Sequence, residues 1–318
     1  MTETNERPGG TPAYAPAPHR VVVGVDGSQH SLRALDRAAD EAGRRGAELE
    51  VLCGAVPPRR SVVPETDTDR ERMRRAAHEV AEAAAERARA RVPGLRVAAA
   101  GVSDPPPDAL VRASRTAALT VVGTRGHGGF RGLLLGSVSL RLAAHAAGPL
   151  LVVRGEEREA DGTPGETIVG LKWSGATEPV GFAFEEAARD GSTVRVVHSW
   201  THPVLPSLGL KRPPKEREGE KESAEAGKAA EAFVREAIGP FQERHPDVRA
   251  VTEEHRGPAA EHLIDLSAGA GLIVLGVRRE HRRLGLQVGP VVNAVLQHAH
   301  CSVALVPVPP EPTREPRP

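Results

Sequence analysis

The stretch "VVGTRGHGGFRGLLLGSVS" (121–139) leaves an apolar run, crosses a segment rich in glycine and arginine, and closes on Gly136-Ser137. A second version, "VLGVRREHRRLGLQVGP", occupies 274–290. Two further pairs flank these. "RVVVGVDGSQHS" (20–31) is echoed by "ETIVGLKWSGAT" (166–177), and "GPLLVVR" (148–154) by "CSVALVP" (301–307). Pairing Gly24 with Gly170 and Gly123 with Gly276 keeps the three matches in one order, about 150 residues apart. A chain of 318 residues also has the length of two ordinary domains, at about 100–200 residues each. The sequence therefore reads as one domain written twice.

Within each copy, short Val-rich runs alternate with longer segments of helical period. In the first copy the strands are expected at 20–25, 48–55, 95–101, 119–123 and 149–154, and the helices at 28–45, 68–91, 106–117 and 137–147. The second copy has strands expected near 167–171, 193–199, 247–254, 272–276 and 302–307. Continuous apolar strands are what a parallel sheet covered on both faces requires. Right-handed strand–helix–strand crossovers then give an α/β fold of two tandem doubly wound domains, each a five-stranded parallel sheet with helices on both faces. The expected organisation is a tail (1–18), a first domain (19–154), a linker (155–166), a second domain (167–308) and a second tail (309–318). Both tails are Pro-rich and read as disordered. The charged insert "PSLGLKRPPKEREGEKES" (206–223) reads as a loop running into a helix.

Composition narrows the function classes. Aromatic residues make up only 3%, so the core has to be built from Val, Leu, Ala and Ile. Lys+Arg and Asp+Glu are both 42, so whole-chain charge gives no reason to expect nucleic acid or an anionic membrane as the main partner. No segment approaches the run of about 20 apolar residues of a membrane helix, and the N-terminus lacks the pattern of a signal peptide. Cys53 and Cys301 lie in separate halves inside apolar runs, which reads as two reduced thiols in a cytoplasmic protein. His298, His300 and Cys301 are metal-type ligands, but a compact zinc site wants a fourth ligand, so no metal site is expected there.

In doubly wound folds ligands bind beyond the carboxyl ends of the strands, where the winding reverses. Asp26, after the first strand, and the glycine loop, after the fourth, both fall at that edge. Ser137 stands where a helix should begin, so its hydroxyl is expected to cap that helix. The helix end offers unpaired N–H groups and a positive dipole end to an anion. Gly126, Gly128, Gly129 and Gly132 permit positive φ and close backbone approach. Arg125, His127 and Arg131 add donors, and Ser137 and Ser139 add hydroxyls. A flexible connection is the plainer reading of such a loop. The chain also has neither the G-x-x-x-x-G-K-[ST] nor the G-x-G-x-x-G spacing of familiar phosphate loops.

Gly123-x2-Gly126-x9-Gly136-Ser137 does match the nucleotide-binding signature of the universal stress protein family. "VVVGVDGS" at the first strand and "GPLLVVR" at the last resemble that family too, and the resemblance spans both copies. It implies the adenine nucleotide alpha hydrolase-like fold and an ATP site in the first copy. There Val25 and Asp26 contact the adenosine, and Gly54, beside Cys53, holds the base through backbone groups. Gly123 and Gly126 line the ribose and phosphate path, His127 adds a donor, and Gly136, Ser137, Val138 and Ser139 receive the phosphates. Magnesium or manganese accompanies the triphosphate in this reading. The resemblance also implies that the last strands of two domains pair antiparallel, within one chain or between two. A homodimer through edge strands and an unidentified regulatory protein are the partners expected beside the nucleotide.

The second copy departs from the signature. Lys172 stands at the place of Asp26, Arg279 at that of Gly126, and Gly289-Pro290 at that of Gly136-Ser137. Each change removes one contact, and proline supplies neither N–H nor hydroxyl. The second copy is therefore expected to be structural, with the basic run "RREHRR" (278–283) as a solvated loop or a new anion site. The expected function is an ATP-dependent stress-response regulator. A slow ATPase or nucleotidyl-transfer enzyme and a nucleotide-free scaffold stand as alternatives, because the loop holds no general base beyond His127.

Overall fold

The computed structural model describes residues 20–54, 66–126, 135–154, 165–172, 176–200, 231–278 and 288–309. The first copy runs β1 (Arg20–Gly24), α1 (Gln29–Arg45), β2 (Glu48–Gly54), α2 (Asp67–Arg91), β3 (Val97–Val102), α3 (Pro106–Ala113), β4 (Leu119–Gly123), α4 (Ser137–His145) and β5 (Leu150–Val153). The second runs β6 (Glu166–Leu171), α5 (Glu178–Asp190), β7 (Val194–Trp200), a helix over 231–244 (α6), β8 (Ala250–Arg256), α7 (Ala259–Leu266), β9 (Ala270–Arg278), α8 (Pro290–His298) and β10 (Ser302–Val308). The alternation is the one expected from the periodicity, and the chain is an α/β protein of two tandem doubly wound domains.

Burial explains why these segments choose strand or helix. Every residue of β4 and of β5 is buried, as in strands covered on both faces. Helix α1 buries Ala34, Leu35, Ala38, Ala39 and Ala42 along one stripe and stops at Gly46, whose φ of 60° is the left-handed stop that glycine adopts without strain. Helix α2 turns only alanines inward (Ala77, Ala81, Ala84, Ala85, Ala88), which lets its backbone approach β3 closely. A Cβ on Gly101 would lie 2.3 Å from the His78 nitrogen. A core poor in aromatics is thus packed by bringing backbones together.

Several boundaries differ from the expected ones. Helix α3 stops at Ala113, four residues before the expected end, because Ser114 turns the chain: its hydroxyl donates to the Val111 carbonyl and accepts from the Ala147 amide. The strand expected at 247–254 is β8 at 250–256, displaced by the turn at Pro246-Asp247. Strand β6 already begins at Glu166, the residue where the linker was expected to end. The tails, most of that linker, the insert 206–223 and the arginines of 279–283 lie outside the described residues.

The strands form one ten-stranded sheet in the order β3-β2-β1-β4-β5-β10-β9-β6-β7-β8. Each half has its own reversal of winding, between β1 and β4 and between β6 and β9. All neighbours are parallel except β5 and β10, which pair antiparallel through Val152↔Val303, Leu151↔Ala304 and Leu150↔Leu305. The antiparallel pairing of last strands therefore occurs within the chain. It uses the edges of β5 and β10 and leaves β3 and β8 as the two outer strands of the sheet.

Helices α1 and α5 join the same seam through charge. The Glu41 carboxylate, 1% exposed, meets Arg37, Arg44 and Arg45. Arg45 reaches across to Glu186 of α5, which Arg189 also meets at 2.7 Å. Burial and neighbouring arginines pull the Arg45 guanidinium below its usual value, and the Glu186 charge opposes that shift. Replacing Arg45 by alanine leaves two buried carboxylates short of a partner. We expect Arg45→Ala to lower stability by about 3 kcal/mol, read from the urea midpoint of the whole chain.

Candidate functional site

The crevice between β1 and β4 is built from two chain turns. In the first, the Val25 amide extends the β1–β2 pairing by donating to the Leu52 carbonyl at 2.9 Å. Gly27 then adopts φ 81°, and Ser28 caps α1 by accepting the Ser31 amide at 3.3 Å. With Ser28 as the cap, Asp26 need not serve as one. Its carboxylate is exposed: Oδ1 accepts the Ser28 amide at 3.0 Å, while Oδ2 faces the second turn.

That second turn leaves β4 through Thr124, Arg125 and Gly126. A Cβ on Gly126 would lie 2.1 Å from Asp26 Oδ2. The two residues are 100 positions apart in sequence, and the fold places the end of the Asp26 side chain where a Cβ at 126 would stand. Neither Gly123, Gly126 nor Gly136 has positive φ. Glycine serves here for space, and of the glycines expected to permit positive φ, Gly126 does not adopt it. At Gly123 the space is taken by the protein itself, since a Cβ there would meet the His30 carbonyl oxygen at 2.5 Å. Gly54 is similar, with Pro106 Cγ 2.5 Å from its would-be Cβ.

Ser137 does not cap α4. Gly136 is the cap residue, no side chain caps the helix, and Ser137 is its first residue, so the hydroxyl lies past the position from which it could accept. The Gly136 amide donates to the Thr124 carbonyl at 2.7 Å, and the first helical bond is Leu140 to Gly136. The amides of Ser137, Val138 and Ser139 thus belong to an uncapped first turn. The Ser139 hydroxyl is buried and donates to the Gly123 carbonyl at 2.7 Å, which ties α4 to β4 and removes that hydroxyl from the expected phosphate contacts. His127 lies outside the described residues.

Sequence reasoning passed over His30. It sits in the first turn of α1, with Nδ1 2.9 Å from Arg33 Nη2 and 3.5 Å from Thr124 Oγ1. Burial, then the charges of Arg33 and Arg125, pull its imidazole below the ordinary value against the opposing pull of Asp26. Its only signal in the sequence is a place one turn into the helix that follows Asp26. Cys53, at the end of β2, is buried, and burial with the nearby Asp26 charge pushes its thiol up to about 11.

The corresponding positions of the second copy carry other side chains. His198 stands at the place of Cys53; its Nδ1 donates to the Leu171 carbonyl at 3.0 Å, and its ring lies 5.5 Å from that of Phe233 on α6. Pro290 is the first residue of α8, which removes one amide from the helix end. Lys172 is exposed at the place of Asp26. His198 and Phe233 were not part of the sequence argument against this copy, and they add to it.

The chain matches the family model described as "Universal stress protein family" over residues 18–154 and again over 169–307. A universal stress protein of Mycolicibacterium smegmatis is 30% identical over 298 residues, covering 90% of this chain and 96% of that protein. One from Mycobacterium tuberculosis is 30% identical over 300 residues, covering 90% and 96%. The crystal structure of a universal stress protein from Archaeoglobus fulgidus shares the fold, with a TM-score of 0.66 at 16% identity over 91% of this chain and 96% of that one.

Two glycines separate packing from site. Gly123→Ala drives a methyl into the α1 backbone and should lower stability by about 1–3 kcal/mol, whereas Gly126→Ala meets only an exposed carboxylate and should stay within about 0.5 kcal/mol of wild type; urea unfolding of both variants checks the contrast. Cys53, held as the thiol, should react with a disulfide reagent at pH 8 only on unfolding, and faster as the pH rises toward 11.

Proposed function

Because the chain belongs to the universal stress protein family, we propose that it binds ATP in its first copy alone and acts as a nucleotide-dependent stress-response regulator. The observation that carries the reading is the contact of Asp26 with Gly126 beside an uncapped α4. An exposed carboxylate suits a ribose diol or an adenine amine as a hydrogen-bond acceptor. Three successive amides at the positive end of α4 suit phosphate oxygens. The glycine at 126 keeps the path between them clear.

These residues fit an adenine nucleotide as ligand. In this reading Asp26, with the backbone at Val25 and Gly54, holds the nucleoside. Gly126 lets the chain of phosphates pass, and the amides at Ser137, Val138 and Ser139 receive it, with His127 on the same loop. Gly123 serves by admitting α1 and so positions the crevice. Magnesium or manganese travels with the triphosphate and neutralises part of its charge. Regulation, not turnover, is the favoured role in this reading. Lys172, His198 and Pro290 at the corresponding positions of the second copy support a structural role there.

The same reading keeps the protein in the cytoplasm, supported by two buried free thiols and by the absence of a membrane-length apolar helix among the described residues. A homodimer through sheet edges would have to use β3 or β8, because β5 and β10 are occupied by each other. Strand β8 carries Glu253, Glu254, His255 and Arg256, whereas β3 carries no charge, so β3 is the edge better suited to a partner.

Calorimetric titration of magnesium–ATP into the nucleotide-stripped full chain tests the proposal. The expected stoichiometry is one ATP per chain, lost in Asp26→Ala and weakened at least tenfold in Gly126→Ala. Two sites per chain, or no binding of any adenine nucleotide, would overturn it.

A further inference from the structure

His30 is a titratable side chain beside the crevice to which the nucleotide reading gives no task. Its described neighbours come from α1 and from the turns after β1 and β4. Arg33 of α1 donates to Nδ1, Thr124 after β4 lies 3.5 Å away, and Arg125 and Asp26 supply the nearby charges from the two turns. The connection to the phosphate end is short. The Thr124 carbonyl that follows β4 accepts the amide of Gly136, the cap residue of α4, while its hydroxyl faces His30. With Arg33 donating to Nδ1, the neutral ring carries its proton on Nε2.

The second copy lacks this cluster. Matching the buried faces of α1 and α5, on which Glu41 corresponds to Glu186, pairs Arg33 with Glu178, and pairing Gly123 with Gly276 puts Val277 where the first copy has Thr124. Pro179 packs at 3.0 Å from the would-be Cβ of Gly276. An acidic residue and an apolar one thus stand in the second copy where the first has Arg33 and Thr124. A role in α1 packing alone would not require that difference.

We propose that His30 is a proton-gated contact for the phosphate chain of the nucleotide, so that binding takes up a proton on its imidazole. This rests on the nucleotide reading of the first copy. Without ligand, Arg33 and Arg125 disfavour a further positive charge, and the ring is neutral near pH 7. Phosphates placed among these groups cancel the arginine charge and favour the imidazolium. The bound state then holds the proton more tightly than the free state. Affinity is therefore highest at low pH and falls as the pH rises through the titration range of the complex. At high pH the site keeps its other contacts and loses only this one.

The test is proton uptake on binding magnesium–ATP near pH 6.5, from calorimetry in two buffers of different ionisation enthalpy, for wild type and His30→Asn. Wild type should take up about half a proton more than the variant, and its affinity should gain about fivefold over the variant's between pH 8 and pH 6, since one pH unit of coupling is tenfold. Comparing the two proteins cancels the titration of the nucleotide itself. Adenosine, which has no phosphate, should show no difference between them. The His30 ring resonance, identified by its loss in His30→Asn, gives an independent reading on wild type alone: its titration midpoint should rise on adding magnesium–ATP. ATP binding with equal uptake in both proteins, or an unmoved His30 midpoint, overturns this inference and leaves the nucleotide reading in place. No ATP binding by wild type overturns both.

Discussion

The antiparallel pairing of β5 with β10 is the constraint on which the rest of this molecule depends. Each half ends on a mostly apolar strand that would be an exposed edge if the half stood alone. An unpaired apolar edge is a template for aggregation. Turning the two last strands against each other removes both edges at once and makes ten strands into a single sheet. The buried ion network between α1 and α5 follows from that choice, since only the joined sheet brings Arg45 to Glu186. Such a network adds little to stability over an apolar contact, but it is unforgiving of misalignment. It therefore fixes how the halves meet.

The candidate site shows how a doubly wound sheet turns distance in sequence into contact. Reversal of winding between β1 and β4 leaves their ends diverging into a crevice, and the turns that follow carry Asp26 and Gly126 to its rim. The same reversal in the second copy produces a crevice with different contents. There a histidine ring bonds to the strand backbone beside a phenylalanine, and a proline opens the helix. Duplication supplied two frames of one topology, and their side chains differ. Ser139 and Gly123 further show that residues of one signature divide their work, because a buried hydroxyl and a missing side chain both serve to hold helices against β4.

Much of this was legible in the chain itself. The Val-rich runs, the helical periods between them and the ordered repeat determined the element order, the doubly wound halves and the edge at which Asp26 and the glycine loop lie. Lys172 and Pro290 were enough to mark the second copy as altered. These are local properties: period, propensity and the chemistry of one residue at one place, all of which a sequence carries directly.

What needed the tertiary structure was everything that depends on who stands opposite. Ser137 looked like a cap, yet the cap is Gly136 and the helix begins at Ser137 itself. Gly126 looked like a dihedral requirement and proved to be a space for Asp26, as Gly123 is a space for the α1 backbone. His30 had no pattern to announce it, because its meaning comes from Arg33, Thr124 and Arg125 arriving from two elements. The sequence by itself determined which segments are strands and helices and where their ends must gather, because backbone preference and burial are set residue by residue. Only the tertiary structure decided which side chains meet in that gathering, because a clash, a shared carbonyl or a shifted proton is a property of pairs.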